Sequence, residues 1–277
     1  MKLVTFQRPG QAAEPGYLQG SQVISLAGEF GSVIDVLAGG AAALAKASAV
    51  TSPSYGVSSV KVLAPVPKPP KIICIGLNYR DHAIETNMAI PETPTVFCKF
   101  PTAVIGPGDT VVLPKISVKP DYEAEFAFVI GKGGRHIAAE NWRDHVAGYM
   151  NLNDVSARDI QLATTQWVMG KTFDTFCPMG PYLATADEIA DPHNLDIQLS
   201  IGGEVLQKSN TKNLIFDIPK LISHLSSVFT LETGDVVSTG TPSGVGMARG
   251  RWLKPGDTMV VQVQGLGELS NPCVAEA

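Results

Sequence analysis

The chain has 277 residues, 44% of them hydrophobic and 17% charged, with 27 Gly and 20 Pro. That composition fits one large or two smaller globular units, rich in loops and strands rather than built as a helical bundle. The formal net charge of -5 and the lack of any block of like charge exclude a basic nucleic-acid groove and a basic membrane-binding face.

Lys2 to Phe6 and Gln22 to Leu26 read as short strands, and Ser32 opens a helix expected to run to about Ala47. The apolar run 33–45 is broken by Asp35, Gly39 and Gly40, so no membrane span is expected. Four prolines lie between Pro65 and Pro70. Proline fixes φ and removes a donor, so this stretch reads as a stiff linker. The expected division is therefore a small N-terminal domain over 1–64, a Pro-rich linker over 65–71 and a larger domain over 72–277. Beyond the linker, Lys71–Gly76, Val111–Leu113, Tyr122–Gly131, Leu195–Ile201, Val236–Thr239 and Met259–Val263 have strand character. Asp144 to Met150 leads into a polar stretch at Asn151. Pro219–Phe229 carries apolar residues at helical spacing.

Cys74, Cys98, Cys177 and Cys273 form no C-x-x-C pair. Free thiols in a reducing compartment, taken as the cytoplasm, are the expectation. The first ten residues lack an apolar core, which argues against a secretory signal.

Glu123 and Glu125 stand two apart in a strand-like run, so both point to one face. Tyr122, Ala124, Phe126, Phe128 and Ile130 form the other, a core-like face. Two such carboxylates require either full solvation on an edge strand or a cation. Asp154, in a polar stretch between hydrophobic segments, favours the cation. Three carboxylates are a hard donor set suited to Mg²⁺, Mn²⁺ or Ca²⁺. His82 and Glu85, spaced i, i+3 on a helical turn, form either a surface ion pair or an oriented base. Lys171 follows Gly170, but Thr165 stands where a phosphate-binding P-loop needs its first glycine. His136 likewise breaks a dinucleotide fingerprint at Gly131. A lysine among apolar residues and glycines suits a bound anion. The Gly-rich loop around Thr241 is either an ordinary turn or a carboxylate cradle.

These segments occur in a fixed order: Gly-Leu-Asn-Tyr-Arg-Asp-His (76–82), Glu-Ala-Glu (123–125), Asn-Asp-Val-Ser-Ala-Arg-Asp (153–159), Gly-Lys-Thr-Phe-Asp-Thr-Phe-Cys-Pro (170–178) and Ser-Thr-Gly-Thr-Pro-Ser-Gly-Val-Gly (238–246). The ordered set resembles the fumarylacetoacetate hydrolase superfamily from about Lys71 to Val263. The resemblance implies an α+β fold, a mixed β-sheet roll with a small α/β N-terminal domain, and a homodimer. It implies Mg²⁺ or Mn²⁺ on Glu123, Glu125 and Asp154. His82 and Glu85 would form a water-activating dyad on a segment, His82 to Pro91, able to act as a lid. Lys171 would stabilise charge on the substrate oxygen. Arg158 and Gln161 would contact substrate, and the backbone around Thr241 would hold its carboxylate. Some relatives carry Arg at the position of Leu77, where it helps bind a second acidic group. Leu77 cannot do this, and Arg80 stands close by as a substitute.

The leading expectation is hydrolysis of a C–C bond in a small 2-oxo acid of acylpyruvate type, through an enolate that a metal and Lys171 stabilise. The alternative is an oxaloacetate decarboxylase or keto–enol tautomerase, or a related isomerase or lyase, since these reactions share the enolate. A non-catalytic binding protein is disfavoured because all five residues of the metal and dyad set, and Lys171, are present.

Overall fold

The computed structural model describes residues 1–277. Its centre is a twelve-stranded mixed sheet, faced by a five-stranded one. In the large sheet, Cys177–Thr185, Val146–Asn153, Ala124–Ile130, Val236–Ser238, Ile72–Gly76 and Thr95–Lys99 lie side by side, the last at the edge. Val236–Ser238 runs parallel to Ile72–Gly76; the other neighbours in this stretch are antiparallel. The smaller sheet contains Glu204–Asn210, Asp196–Ile201, Thr258–Val263, Glu268–Ala275 and Val111–Leu113.

The sheets enclose the larger apolar core. Phe126, Phe128 and Tyr149 from one sheet meet Leu199, Val261 and Leu269 from the other. A second core, with Ala127, Val129, Met150 and Leu152, lies on the opposite face of the large sheet, beneath residues of the N-terminal helices such as Val36 and Leu37. Every residue of Ala124–Ile130 is buried. The solvated edge strand weighed for Glu123 and Glu125 is thereby ruled out: the strand is central, and both of its faces are covered.

Lys2–Gln7 pairs with Cys177–Thr185, so the first residues extend the same sheet. The proline-rich stretch is seated against this strand, with Thr5 Oγ1 donating to Pro65 O at 2.8 Å and Val66 buried. The single helix expected over 32–47 is two: Val33–Ala38, capped by Ser32 Oγ, and Gly40–Ala49. The break falls at Gly40, whose φ of 57° leaves the helical region, as glycine allows at low cost. The helix Ile218–Val228 and the remaining strands form where their periodicity places them. No helix is long and apolar enough to cross a membrane.

Candidate active site

Strand register brings the three carboxylates together. Ala124 pairs with Asn153 and Glu125 with Leu152. Asp154, one residue beyond the strand, donates its N–H to Glu123 O at 3.0 Å. Glu123, Glu125 and Asp154 each offer a carboxylate oxygen within 4.8 Å of the other two, and they are only 5%, 1% and 0% exposed.

Such burial is costly unless charge is compensated, and compensation is uneven. Arg158 Nη2 lies 2.6 Å from Glu123 Oε1, and Lys171 Nζ lies 2.7 Å from Glu123 Oε2. The Arg158 contact is an ion contact only, because Nη2 is not aligned on any acceptor as a hydrogen bond. Asp154 faces Lys171 at 2.7 Å and Lys99 at 2.5 Å. Glu125 has no cation: Ser238 Oγ and Gly240 N–H donate to its Oε2, and its other oxygen has no protein donor. The ionisation of each follows. Burial pushes Glu123 up, but Arg158 and Lys171 outweigh it and hold its carboxyl below the usual range. Burial, then the charges of Asp154 and Glu123, pushes Glu125 well above that range. Burial opposes the charge of Lys171, yet Asp154 and Glu123 raise its affinity for the proton overall. A buried three-carboxylate set with one member uncompensated fits a hard divalent cation.

His82 sits on the helix Arg80–Glu85 and is buried. Its Nδ1 lies 3.2 Å from Glu85 Oε2. Glu85 is itself held by Gly244 N–H, at 2.9 and 3.1 Å from its two oxygens. With Glu85 as acceptor a ring proton sits on Nδ1, and Nε2 is left without a protein partner. Asp81 anchors the helix start through Ser209 Oγ at 2.5 Å.

Arg158 and Gln161 share the short helix Arg158–Gln161. Arg158 donates to Asp121 Oδ2 at 2.8 Å and to Gln161 Oε1 at 3.0 Å. Thr241 is fixed by its hydroxyl, which donates to Ala124 O at 2.9 Å and accepts from Gln207 Nε2 at 2.8 Å. Glu123, Glu125, His82, Arg158, Gln161, Lys171 and Thr241 all line one cavity of about 160 Å³. Larger hollows lie beside Met1 and Tyr17 (about 1000 Å³) and beside Phe97 and Phe229 (about 540 Å³), but no comparable set of buried charges converges on them. Leu77 reaches the cavity wall. Arg80 does not; it is exposed and donates to Leu214 O at 2.8 Å, so the substitution of Arg80 for a missing Arg at 77 fails.

Several participants escaped the motif reading. Asp121 gathers Gly246 N–H, Met247 N–H and Arg158. Phe97 lies under Lys171, with Nζ 5.0 Å from its ring centroid, and Trp167 abuts Phe97 edge-on. Lys99 grips Asp154. Its one signal in the sequence was a single charge in the otherwise apolar run Val96–Phe100.

The family model described as fumarylacetoacetate (FAA) hydrolase C-terminal matches residues 71–274. The chain is 42% identical over 295 residues to the mitochondrial oxaloacetate tautomerase FAHD2A of Bos taurus, covering 99% of this chain and 92% of that protein. It is 48% identical over 221 residues to the mitochondrial oxaloacetate tautomerase fahd2 of Xenopus laevis, covering 78% and 69%. Among solved structures, the fumarylacetoacetate hydrolase of Exiguobacterium antarcticum matches with TM-score 0.87 at 33% identity over all of both chains. The maleylpyruvate hydrolase of Sphingobium sp. SYK-6, in complex with manganese (II) and pyruvate, matches with TM-score 0.85 at 31% identity, again over all of both. The two tautomerases are named as mitochondrial, so the cytoplasmic expectation gains no support from them.

Proposed function

This chain belongs to the fumarylacetoacetate hydrolase family, and from that premise we propose that it is an oxaloacetate keto–enol tautomerase. The sequence alone leaned toward C–C hydrolysis. Two considerations turn the balance: tautomerase relatives align along almost the whole chain, and the cavity is small. The observation that carries the proposal is that cavity of about 160 Å³, walled by Glu123, Glu125, Lys171 and a buried imidazole whose Nε2 has no protein partner. A cavity of this size suits a small acid such as four-carbon oxaloacetate better than a substrate with a bulky acyl chain.

A divalent cation held by Glu123, Glu125 and Asp154 would supply Lewis acidity toward the 2-oxo acid. Toward the enol, His82 Nε2 takes the C3 proton of the keto acid. The C3–H electron pair becomes the C2–C3 double bond, and the carbonyl pair moves onto the C2 oxygen. The Lys171 ammonium donates a proton to that oxygen. Return of the proton from imidazolium to Lys171 through solvent resets both groups, and reversal of the steps runs enol to keto. Glu85 stabilises the imidazolium formed on the way. Arg158 and Gln161 orient the acid, and Thr241 N–H meets a carboxylate. Closure of the segment His82 to Pro91 would exclude bulk water.

Hydrolysis of an acylpyruvate is the second reading, supported by the likeness to the maleylpyruvate hydrolase. The same dyad could activate water. The deciding experiment compares, at saturating Mg²⁺, enol-to-keto conversion of oxaloacetate, its decarboxylation, and cleavage of several acylpyruvates. Catalysed tautomerisation with acylpyruvate cleavage at background supports the proposal. Cleavage of an acylpyruvate without catalysed tautomerisation would reverse it.

A further inference from the structure

Lys99 is a buried, charged group that the proposed chemistry does not use. Its side chain is 0% exposed. It lies at the end of the edge strand Thr95–Lys99, two residues from Phe97, so both side chains point to the same face. Phe97 braces Lys171 there, and Lys99 reaches Asp154.

Two lysines hold Asp154 through different oxygens. Lys99 Nζ donates to Oδ1 at 2.5 Å and to Val155 O at 3.0 Å. Lys171 Nζ donates to Oδ2 at 2.7 Å. Their positions differ. Lys171 lines the 160 Å³ cavity and is open to whatever enters it, whereas Lys99 is absent from that wall and borders the hollow of Phe97 and Phe229 behind it. A cation bound at the three carboxylates would take Oδ2 from Lys171, the lysine on the cavity wall, and leave Lys99 on Oδ1. Asp154 can then offer one oxygen while the other stays on Lys99.

We propose that Lys99 is a positioning residue that locks Asp154 as a one-oxygen ligand and so biases the site toward Mg²⁺ and Mn²⁺ over Ca²⁺. The small ions need near-octahedral coordination, whereas Ca²⁺ takes more oxygens and accepts two from one carboxylate. Freed from Lys99, Asp154 can rotate and offer both. Groups just behind metal ligands typically contribute 10–100-fold to metal affinity.

The proposal rests on the three-carboxylate site described above, and its test separates the two. Mn²⁺, Mg²⁺ and Ca²⁺ are titrated calorimetrically into metal-free wild type, Lys99→Met and Lys99→Gln, each checked for folding by circular dichroism. In the variants Mn²⁺ and Mg²⁺ affinity should fall about 10–100-fold, while Ca²⁺ falls less, so that the preference shifts toward Ca²⁺ by about tenfold. A general loosening of the fold would weaken all three alike and leave the ratio in place, which overturns the proposal. Wild type that binds no divalent cation overturns the site assignment and the proposal with it. Wild type that binds, alongside folded variants of unchanged selectivity, overturns the proposal alone. Should neither variant fold, a crystal structure of Mn²⁺-loaded wild type decides: the proposal requires Lys99 Nζ on Oδ1 and the ion on Oδ2, and a two-oxygen Asp154 refutes it.

Discussion

Replacing His82 with Ala is the sharpest test of the proposed chemistry. Its Nε2 is the one imidazole nitrogen in the cavity wall, and it has no protein partner, whereas Lys171 and Arg158 hold their protons among carboxylates. Glu123 is held ionised between Arg158 and Lys171, and Glu125 is committed to Ser238 and Gly240. No neighbour is placed to take over proton abstraction at carbon. Loss of a positioned general base costs about 10²–10⁴-fold. At 1.36 kcal/mol per decade that is about 2.7–5.4 kcal/mol of transition-state stabilisation. Glu85→Gln should cost less, about tenfold, because the imidazole keeps its place but loses the charge that stabilises its protonated form. The assay follows decay of oxaloacetate enol absorbance by stopped flow, corrected for the uncatalysed rate, with saturating Mg²⁺ in every reaction. Decarboxylation, which needs chiefly enolate stabilisation, should fall much less than tautomerisation in the same variant. If His82→Ala tautomerises oxaloacetate within about threefold of wild type, His82 is not the base.

Glu125→Gln should abolish Mg²⁺ binding and yet raise the melting temperature of the metal-free protein. It removes a carboxylate that burial, Asp154 and Glu123 all disfavour, and calorimetry with and without chelator reads both effects. In wild type, Mg²⁺ at about 100 times its Kd should add about 2.7 kcal/mol of stability. Gly240→Ala should destabilise by about 1–3 kcal/mol and weaken metal binding. A Cβ there meets Asn78 Cβ and Ile75 O, both at 2.9 Å, at a φ of +96°, and Gly240 N–H holds Glu125; denaturant melts and Mn²⁺ titration measure the two consequences. A thiol reagent at pH 8 should modify one cysteine quickly, the exposed Cys98. Burial pushes Cys74 well up and Cys177 and Cys273 to about 12, so these stay protonated until the chain unfolds, when all four react. Sedimentation at micromolar concentration should give twice the 29.3 kDa chain mass, since association would cover sheet edges such as Thr95–Lys99.

The sequence by itself determined what depends on short range. Strand and helix periodicity placed Ala124–Ile130, Val236–Ser238 and Ile218–Val228, because alternation and helical spacing are local properties of the chain. The i, i+2 spacing put Glu123 and Glu125 on one face, and i, i+3 placed Glu85 beside His82. The order of the motifs carried the family. Tertiary structure decided whatever depended on register and burial. Glu123 and Glu125 could have been solvated; only the central position of their strand makes them costly, and only the pairing of Glu125 with Leu152 delivers Asp154 to them. Arg80 stood near Leu77 in the chain yet turned to a backbone carbonyl across the fold, since the helical turn it begins points it away from the cavity. The N-terminal residues, separated in sequence by a run of prolines, joined the large sheet through Lys2–Gln7, because an unpaired edge beside Cys177–Thr185 offered hydrogen bonds that no local pattern encodes. Lys99 shows the limit most plainly. A single lysine in an apolar strand is legible as an oddity, but its partner lies 55 positions along the chain, and only the closed fold brings ammonium and carboxylate together away from water.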